Sequence, residues 1–204
     1  MNKENYQKRL DKIIDSLNTV PTVLLHSCCA PCSSYCIEYL SQYFRIIVFY
    51  YNPNLYPEEE YIHRSSEQKR LISEMKTKYP VTYVDEDFNS SQFYTAVKGL
   101  EKEPEGGARC EKCFELRLSR TAQKAKELNV DFFTTTLTIS PLKNADLLNS
   151  IGERLSTQYG VLWLPSDFKK KNGYKRSIEL SKIYSLYRQN YCGCVFSCNT
   201  SSLP

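Results

Sequence analysis

Nine of the 204 residues are cysteines, and their spacing makes them the residues best suited to chemistry. They fall in three groups, within HSCCAPCSSYC (26–36), RCEKC (109–113) and YCGCVFSC (191–198). The nine are Cys28, Cys29, Cys32, Cys36, Cys110, Cys113, Cys192, Cys194 and Cys198. Soft sulfur ligands select zinc or an iron–sulfur cluster, and the spacing alone leaves both metals open.

The vicinal pair Cys28 and Cys29 and the CxxC pair Cys110 and Cys113 offer four sulfur ligands for one metal centre. Cys110 and Cys113 stand at the predicted start of a helix, directly after Arg109. Helix N-terminal amides and a guanidinium both favour the thiolate, which is the form that binds metal. We therefore expect these two pairs to converge.

Three other cysteines have an ordinary interpretation. Cys32 and Cys36 lie at helical spacing and, like Cys198, are expected to be buried thiols, which are common in protein cores. Cys29 and Cys32 could instead form a second zinc knuckle, so a closed structural zinc site stays an alternative.

The CGC sequence near the C-terminus indicates a redox couple. Cys192 and Cys194 are one residue apart, and Gly193 provides the backbone freedom that so small a ring needs. A strained disulfide of this kind is easily reduced, which is a property of catalytic or regulatory couples. The alternatives are two loop thiols or two further metal ligands.

Composition narrows the setting of this chemistry. The N-terminal segment is charged and lacks the apolar core of a signal peptide, and the run FRIIVFYY is far shorter than the ~20 residues of a membrane span. We therefore expect a cytoplasmic protein without membrane contact, where clustered cysteines serve metal or redox chemistry more often than structural disulfides. The formal net charge of +4 permits an anionic partner such as RNA.

The elements that would position the cysteines alternate along the chain. Apolar runs predict strands over 22–27, 45–51, 81–87, 131–139 and 161–168. Helical spacing and caps predict helices over 3–18, 33–43, 57–78, 111–128, 141–160 and 175–190, with Ser33 or Ser34 as one cap. This alternation predicts one α/β domain over 1–204, with a mainly parallel sheet, an N-terminal helix and a cysteine-containing C-terminal tail. HSCC would lie at a carboxyl end of a strand, where such sheets bind ligands.

The motifs together resemble a known family. HSCCAPCSSYC after a strand, RCEKCFELRL and a near-terminal YCGC are similar to the QueH family of epoxyqueuosine reductases, as are NPNLYPEEEYIHR and TTLTISPLKN. The resemblance runs from about residue 21 to residue 198, almost the whole chain. It implies a Rossmann-like, HUP-type fold and an oxidoreductase that reduces the epoxide of epoxyqueuosine, at the wobble position of tRNA, to queuosine.

The resemblance also implies the site. Cys28, Cys29, Cys110 and Cys113 would bind a [4Fe–4S] cluster, and Cys192 and Cys194 would form a redox-active disulfide. It leaves open an additional metal ion, the electron donor and the proton donor to the departing oxygen; His26 is equally compatible with a hydrogen-bonded core residue.

A tRNA partner would need a basic surface. The anticodon loop is single-stranded, so its bases can be stacked on aromatic rings while cations meet its phosphates. The stretch FKKKNGYKRS (168–177) is the predicted contact, through Lys169, Lys170, Lys171, Tyr174, Lys175 and Arg176. A solvated loop and helix start is the alternative.

Three rival functions differ in what they predict. A zinc-binding RNA or protein interaction module predicts zinc without acid-labile sulfide, and a thiol–disulfide oxidoreductase predicts turnover of small disulfides without metal. A nucleotide-activating enzyme is disfavoured because the strand end HSCCAPC has no glycine-rich loop and no GxxxxGK[ST] occurs.

Overall fold

A sheet of five parallel strands organises the computed structural model, which describes residues 4–189 and 191–197. The strands are β1 (Thr22–His26), β2 (Arg45–Tyr50), β3 (Val81–Asp85), β4 (Phe132–Thr135) and β5 (Leu162–Trp163). Their order across the sheet is β3-β2-β1-β4-β5, and every pairing is parallel. The predicted α/β class with a Rossmann-like sheet is confirmed.

Helices cover both faces of this sheet. They are α1 (Tyr6–Asp15), α2 (Ala30–Leu40), α3 (Glu58–Glu74), α4 (Ser91–Ala96), α5 (Ala108–Glu127), α6 (Ala145–Tyr159) and α7 (Gly173–Ile183). Successive residues of β1 point to opposite faces. Val23 and Leu25 pack in one apolar cluster with α1, α2 and α7, whereas Leu24 packs with α5 and α6 in another. The central strand is therefore buried on both sides.

Two predicted strands are shorter than their apolar runs. The run over 131–139 stops as a strand at Thr135, because Thr136–Ile139 forms a 3-10 helix. The Thr135 hydroxyl accepts the Leu137 N–H at 3.1 Å and so caps that helix. The run over 161–168 pairs only at Leu162–Trp163.

Helix boundaries also differ from prediction. The cap of α2 is Cys29, not Ser33 or Ser34, because Pro31 suits the first turn of a helix and lets the helix begin earlier. Helix α5 begins at Ala108, before the predicted residue 111, and α4 (Ser91–Ala96) was missed. The cysteines after β1 are therefore closer to a helix N-terminus than expected.

The direction of winding changes between β1 and β4. From β1 the chain moves to β2 and β3 on one side, and β4 and β5 then fill the other side. A crevice forms at the carboxyl ends of strands at such a switch point. HSCC leaves β1 at this edge, and the 3-10 helix leaves β4 beside it. No helix in the described part of the chain is long and apolar enough to cross a membrane.

Candidate metal and redox site

Three thiols gather where β1 turns into α2. The sulfur atoms of Cys28, Cys29 and Cys32 all lie within 4.8 Å of one another, and those of Cys28 and Cys29 are 3.8 Å apart. Cys29 caps α2 without a side-chain hydrogen bond. The thiols therefore lie at the positive end of a helix, which favours a negative charge on sulfur.

One sulfur of this group is the preferred thiolate. Hydrogen bonds from Cys29 and Cys32 hold the pKa of Cys28 well below its usual range against the effect of burial, and the charges of Arg117 and Lys143 lower it further. The same sharing raises the pKa of Cys29 to about 11 and that of Cys32 well above its usual value. Cys28 is therefore the first of the three thiols to lose its proton.

The CxxC pair occupies the first turns of α5. The Gly106 N–H donates to Cys110 Sγ at 3.2 Å. Cys113 is buried, which raises its pKa to about 12, and Arg117 Nη1 lies 3.9 Å from its sulfur. The predicted placement of both cysteines at a helix start is confirmed.

The two cysteines of CGC face different surroundings. Cys192 lines a cavity together with the three thiols at the start of α2. Cys194 is buried in an apolar cluster with Phe93, Val97 and Cys113. Both are free thiols in this structure. The CGC turn therefore links the cavity to the wall formed by α4 and α5.

Gly193 allows this turn to approach the rest of the protein closely. Its φ is +105°, and a Cβ there would lie 2.4 Å from Leu55 Cδ2 and 2.9 Å from Arg64 Nη1. The Tyr56 N–H donates to the Gly193 carbonyl at 2.8 Å. The loop after β2 and the buried Arg64 thus form the seat of the CGC turn.

The cavity has a volume of about 350 Å³ and opens at the switch point of the sheet. Lys143, from the loop after the 3-10 helix, and Tyr174, from the start of α7, line it together with the four thiols and with apolar residues such as Ile139 and Leu142. Tyr191, next to the CGC turn, also lines it. A cavity with apolar and aromatic walls and a few polar groups can receive a small molecule.

Arg117 connects the cysteine groups. It is 2% exposed, and Nη2 donates to Asn52 Oδ1 at 2.7 Å. Its charge helps to lower the pKa of Cys28 and opposes the rise that burial causes in the pKa values of Cys113 and Cys192. Sequence reasoning missed this residue. The available signal was its position four residues after Cys113 in RCEKCFELRL, which places both on one helix face.

His26 is a core residue. Burial, and then the charge of Arg117, lower its pKa to about 3, so the ring is neutral near pH 7. Nδ1 is 2.9 Å from Thr135 Oγ1, and Nε2 is 3.2 Å from the Tyr51 carbonyl oxygen. A neutral ring held on both sides lacks the labile proton that a donor to the substrate needs.

The remaining cysteines lie in different surroundings. Cys36 is fully buried in the core, as predicted, and its thiol donates to the Cys32 carbonyl at 3.3 Å. Cys32 itself lines the cavity and belongs to the sulfur group, a role that its prediction as an ordinary buried thiol did not include. Cys198 lies outside the described residues.

The basic run spans the loop before α7 and its first turn. Three of its five cations form ion pairs: Lys169 with Asp167 at 2.8 Å, Lys171 with Asp11 at 2.7 Å and Arg176 with Glu38 at 2.7 Å. Lys170, Lys175 and Tyr174 are exposed. Most of the charge in this run is therefore balanced within the protein.

The donor set at this site fits a soft metal. Cys28, Cys29 and Cys32 are sulfur donors at one point, and they could hold a metal ion. Among the described residues, no second group of three or more metal-ligating atoms lies as close together, and the sulfurs of Cys110 and Cys113 fall outside the group. The fold and this site define an α/β protein with a thiol-rich centre, able to hold a metal ion, at the switch point of a parallel sheet.

Comparison with known proteins identifies the family. The model of the family described as "Epoxyqueuosine reductase QueH" matches residues 23–200, and the chain belongs to this family. The predicted resemblance and the predicted oxidoreductase class are both confirmed.

Three relatives carry the name epoxyqueuosine reductase QueH. The protein of Streptococcus pyogenes serotype M1 is 43% identical over 199 residues, 97% of this chain and 78% of its own length. That of Staphylococcus epidermidis is 45% identical over 202 residues, 96% and 85% of the two chains. That of Thermotoga maritima is 38% identical over 182 residues, 86% and 90%. The similarity therefore covers most of both partners in each comparison.

Proposed function

We propose that this chain reduces the epoxide of epoxyqueuosine, at the wobble position of tRNA, to the alkene of queuosine. One observation carries the proposal: Cys192 and the thiols of Cys28, Cys29 and Cys32 line the same cavity at the switch point of the sheet. A potential two-electron couple and a potential metal site thus face one space where a substrate can enter. In this proposal the whole chain, 1–204, acts as one α/β domain in the cytoplasm.

The cavity suits a nucleobase-sized substrate. Its volume of about 350 Å³ lies within the ~300–1,000 Å³ of small-molecule sites. A base of an anticodon loop can leave its stack and enter such a pocket. Tyr174 supplies an aromatic ring at the wall, and the exposed Lys170 and Lys175, close to it in sequence, are the cations of the basic run that we expect to meet the phosphates.

A [4Fe–4S] cluster held by Cys28, Cys29, Cys110 and Cys113 is part of the proposal. Each cysteine of a cubane binds a different iron, so its ligands lie farther apart than the ligands of a single ion. Two thiol pairs at the N-termini of α2 and α5, which Arg117 links electrostatically, fit that need. When bound, such a group supplies one-electron transfer and a Lewis acid for oxygen; an additional metal ion would use the same sulfur-rich walls.

Cys32 is the rival for one ligand position. Its thiol is already within 4.8 Å of Cys28 and Cys29, as a ligand of a single zinc ion would be. Which sulfurs act as ligands therefore depends on whether the protein binds a zinc ion or an iron–sulfur cluster.

The electrons balance through the CGC dithiol. The epoxide gains two electrons and two protons and yields an alkene and water, while Cys192 and Cys194 lose two electrons and two protons and form a disulfide. Burial raises the pKa of Cys192, although Lys143 opposes this, so the thiol keeps its proton at Sγ until it reacts. An external dithiol reductant would return the disulfide to the thiol form.

The test combines composition with activity. Protein purified without oxygen should contain about four iron and four sulfide per chain, the content of one [4Fe–4S] unit, and should convert epoxyqueuosine in tRNA. Cys110→Ala should lose both properties, whereas Cys36→Ala, a core thiol away from the cavity lining, should keep both. Zinc without sulfide, or full activity of Cys110→Ala, would contradict the proposal.

A further inference from the structure

A fully buried cation lies among the cysteines without a carboxylate partner. Arg117 is 2% exposed and, among the described residues, its polar neighbours are an amide, an imidazole and a thiol. Asn52 Oδ1 is 2.7 Å from Nη2, His26 Nε2 is 3.4 Å from Nε and Cys113 Sγ is 3.9 Å from Nη1. None of these groups carries a fixed negative charge.

Two other buried guanidinium groups in the described part of the chain have either a carboxylate or two oxygen acceptors. Arg64 is 1% exposed and pairs with Glu60 at 2.6 Å. Arg109 donates to the backbone carbonyls of Glu101 and Glu103. Arg117 has one amide oxygen for a whole unit of charge. An isolated buried charge is strongly unfavourable unless it is paired.

The sulfurs around Arg117 are the groups on which a balancing negative charge can form when a metal binds. The electrostatic effect of Arg117 reaches Cys28, Cys113 and Cys192, one from each of the three cysteine groups. Four thiolates around one metal centre carry more negative charge than either a zinc ion or an oxidised cubane neutralises. The centre therefore keeps a net negative charge, and that charge also needs a partner when it is buried.

We propose that Arg117 is the positioning residue whose fixed positive charge balances the thiolates of this site and so makes metal binding there favourable. The inference rests on the metal site of the proposed function but not on the epoxide chemistry. It applies to zinc and to an iron–sulfur cluster alike, because both leave negative charge on the sulfurs. A protein that bound only zinc and reduced no epoxide would test it equally well.

The experiment measures the affinity for Zn²⁺, by competition with a chelator, on anaerobic metal-free protein. Arg117→Gln should bind Zn²⁺ about 10–100-fold more weakly, the usual effect of losing an outer partner of a metal site. Arg117→Lys, which keeps the charge, should recover most of the affinity. Arg120→Gln is the matched control, because Arg120 lies on the same helix but pairs with Glu86 and Glu127. Wild-type affinity in Arg117→Gln, or equal losses in the Lys and Gln variants, would overturn the proposal.

A purely structural role of Arg117 would lead to a different result. Arg117 holds Asn52, which in turn donates to the Ser27 carbonyl at 2.9 Å just before the thiol group. If that chain of hydrogen bonds were its whole role, Arg117→Gln would destabilise the protein whether or not the thiols were present.

A comparison in a background that lacks two of the thiols separates the two roles even where Arg117→Gln alone does not fold. Thermal unfolding is compared with and without Arg117→Gln in a metal-free Cys28→Ala/Cys113→Ala background. If the thiols balance the charge, that background leaves Arg117 unpaired, and adding Arg117→Gln should raise the melting temperature. A fall in melting temperature, or failure to fold in that background, would overturn the proposal.

Discussion

Replacing Gly193 by alanine tests how the CGC turn is seated. At a φ of +105° an alanine is strained, at a cost of about 1–3 kcal/mol. Its Cβ would also stand 2.4 Å from Leu55 Cδ2 and 2.9 Å from Arg64 Nη1. Overpacking of this kind typically costs about 1–3 kcal/mol. Arg64 is held by Glu60 at 2.6 Å, so it cannot move aside freely.

A combined cost of about 3 kcal/mol shifts the equilibrium between docked and undocked turn on the order of a hundredfold. Cys194 is buried when the turn is docked, so undocking should expose its thiol. We expect iodoacetamide to modify Cys194 much faster in metal-free Gly193→Ala than in the unchanged protein, as followed by mass spectrometry. Epoxide reduction should fall by at least tenfold, because Cys192 no longer holds its place in the cavity.

Gly160→Ala is the matched control. Gly160 also has a positive φ, +72°, but a Cβ there meets nothing within 4 Å. It should lower the melting temperature through backbone strain of about 1 kcal/mol and leave the reactivity of Cys194 unchanged. Equal alkylation rates in Gly193→Ala and the unchanged protein would refute the reasoning about the seat of the turn.

Two further predictions concern charge. Exposed Lys170 and Lys175 are replaced together by alanine, and tRNA binding is titrated at several salt concentrations. The slope of the logarithm of the binding constant against the logarithm of salt concentration should become shallower by about two. Lys171→Ala should change this slope less, because Lys171 pairs with Asp11. The hydrogen bond from Arg70 holds the pKa of Glu67 below its usual 4.5, so Glu67 stabilises the fold above that pH and loses this effect as the pH falls through its folded value. Glu67→Gln should therefore cost about 0.5–1 kcal/mol at pH 7 and less at pH 3. Urea unfolding at both pH values would show this, and a loss that is the same at both would contradict it.

The strands of the sheet were predictable because each coincides with a short apolar run in the sequence. Runs such as VLLH and RIIVFY are continuous and apolar, as fully buried parallel strands are. The end of β4 was not predictable in this way, because TTTLTI keeps an apolar and β-branched composition through its 3-10 helix. The strand ends because the Thr135 hydroxyl caps the following turn. The strand propensities of the residues do not reveal such an interaction.

The site was predictable by residue type and less so by geometry. Cysteine spacing indicated a metal or redox site, and the structure brings Cys192 to the cavity of Cys28 and Cys29. Cys32 was assigned to the core because its helical spacing matched Cys36, yet an earlier helix start turns it toward the sulfur group. Arg117 looked like one more charged helix residue, and only the packing of α5 against the sheet shows that it is buried.

The scattering of the cysteine groups along the chain has a consequence for protein synthesis. The thiols after β1 leave the ribosome first, those of α5 follow, and the CGC turn comes last. At about 5–20 residues per second, the first group waits several seconds for the second and longer for the third. During that interval its sulfurs are exposed to any metal or oxidant in the cell, without the cation on α5 and without the turn that lines the cavity. Any metal that these sulfurs bind in that interval would therefore be bound before the finished site exists.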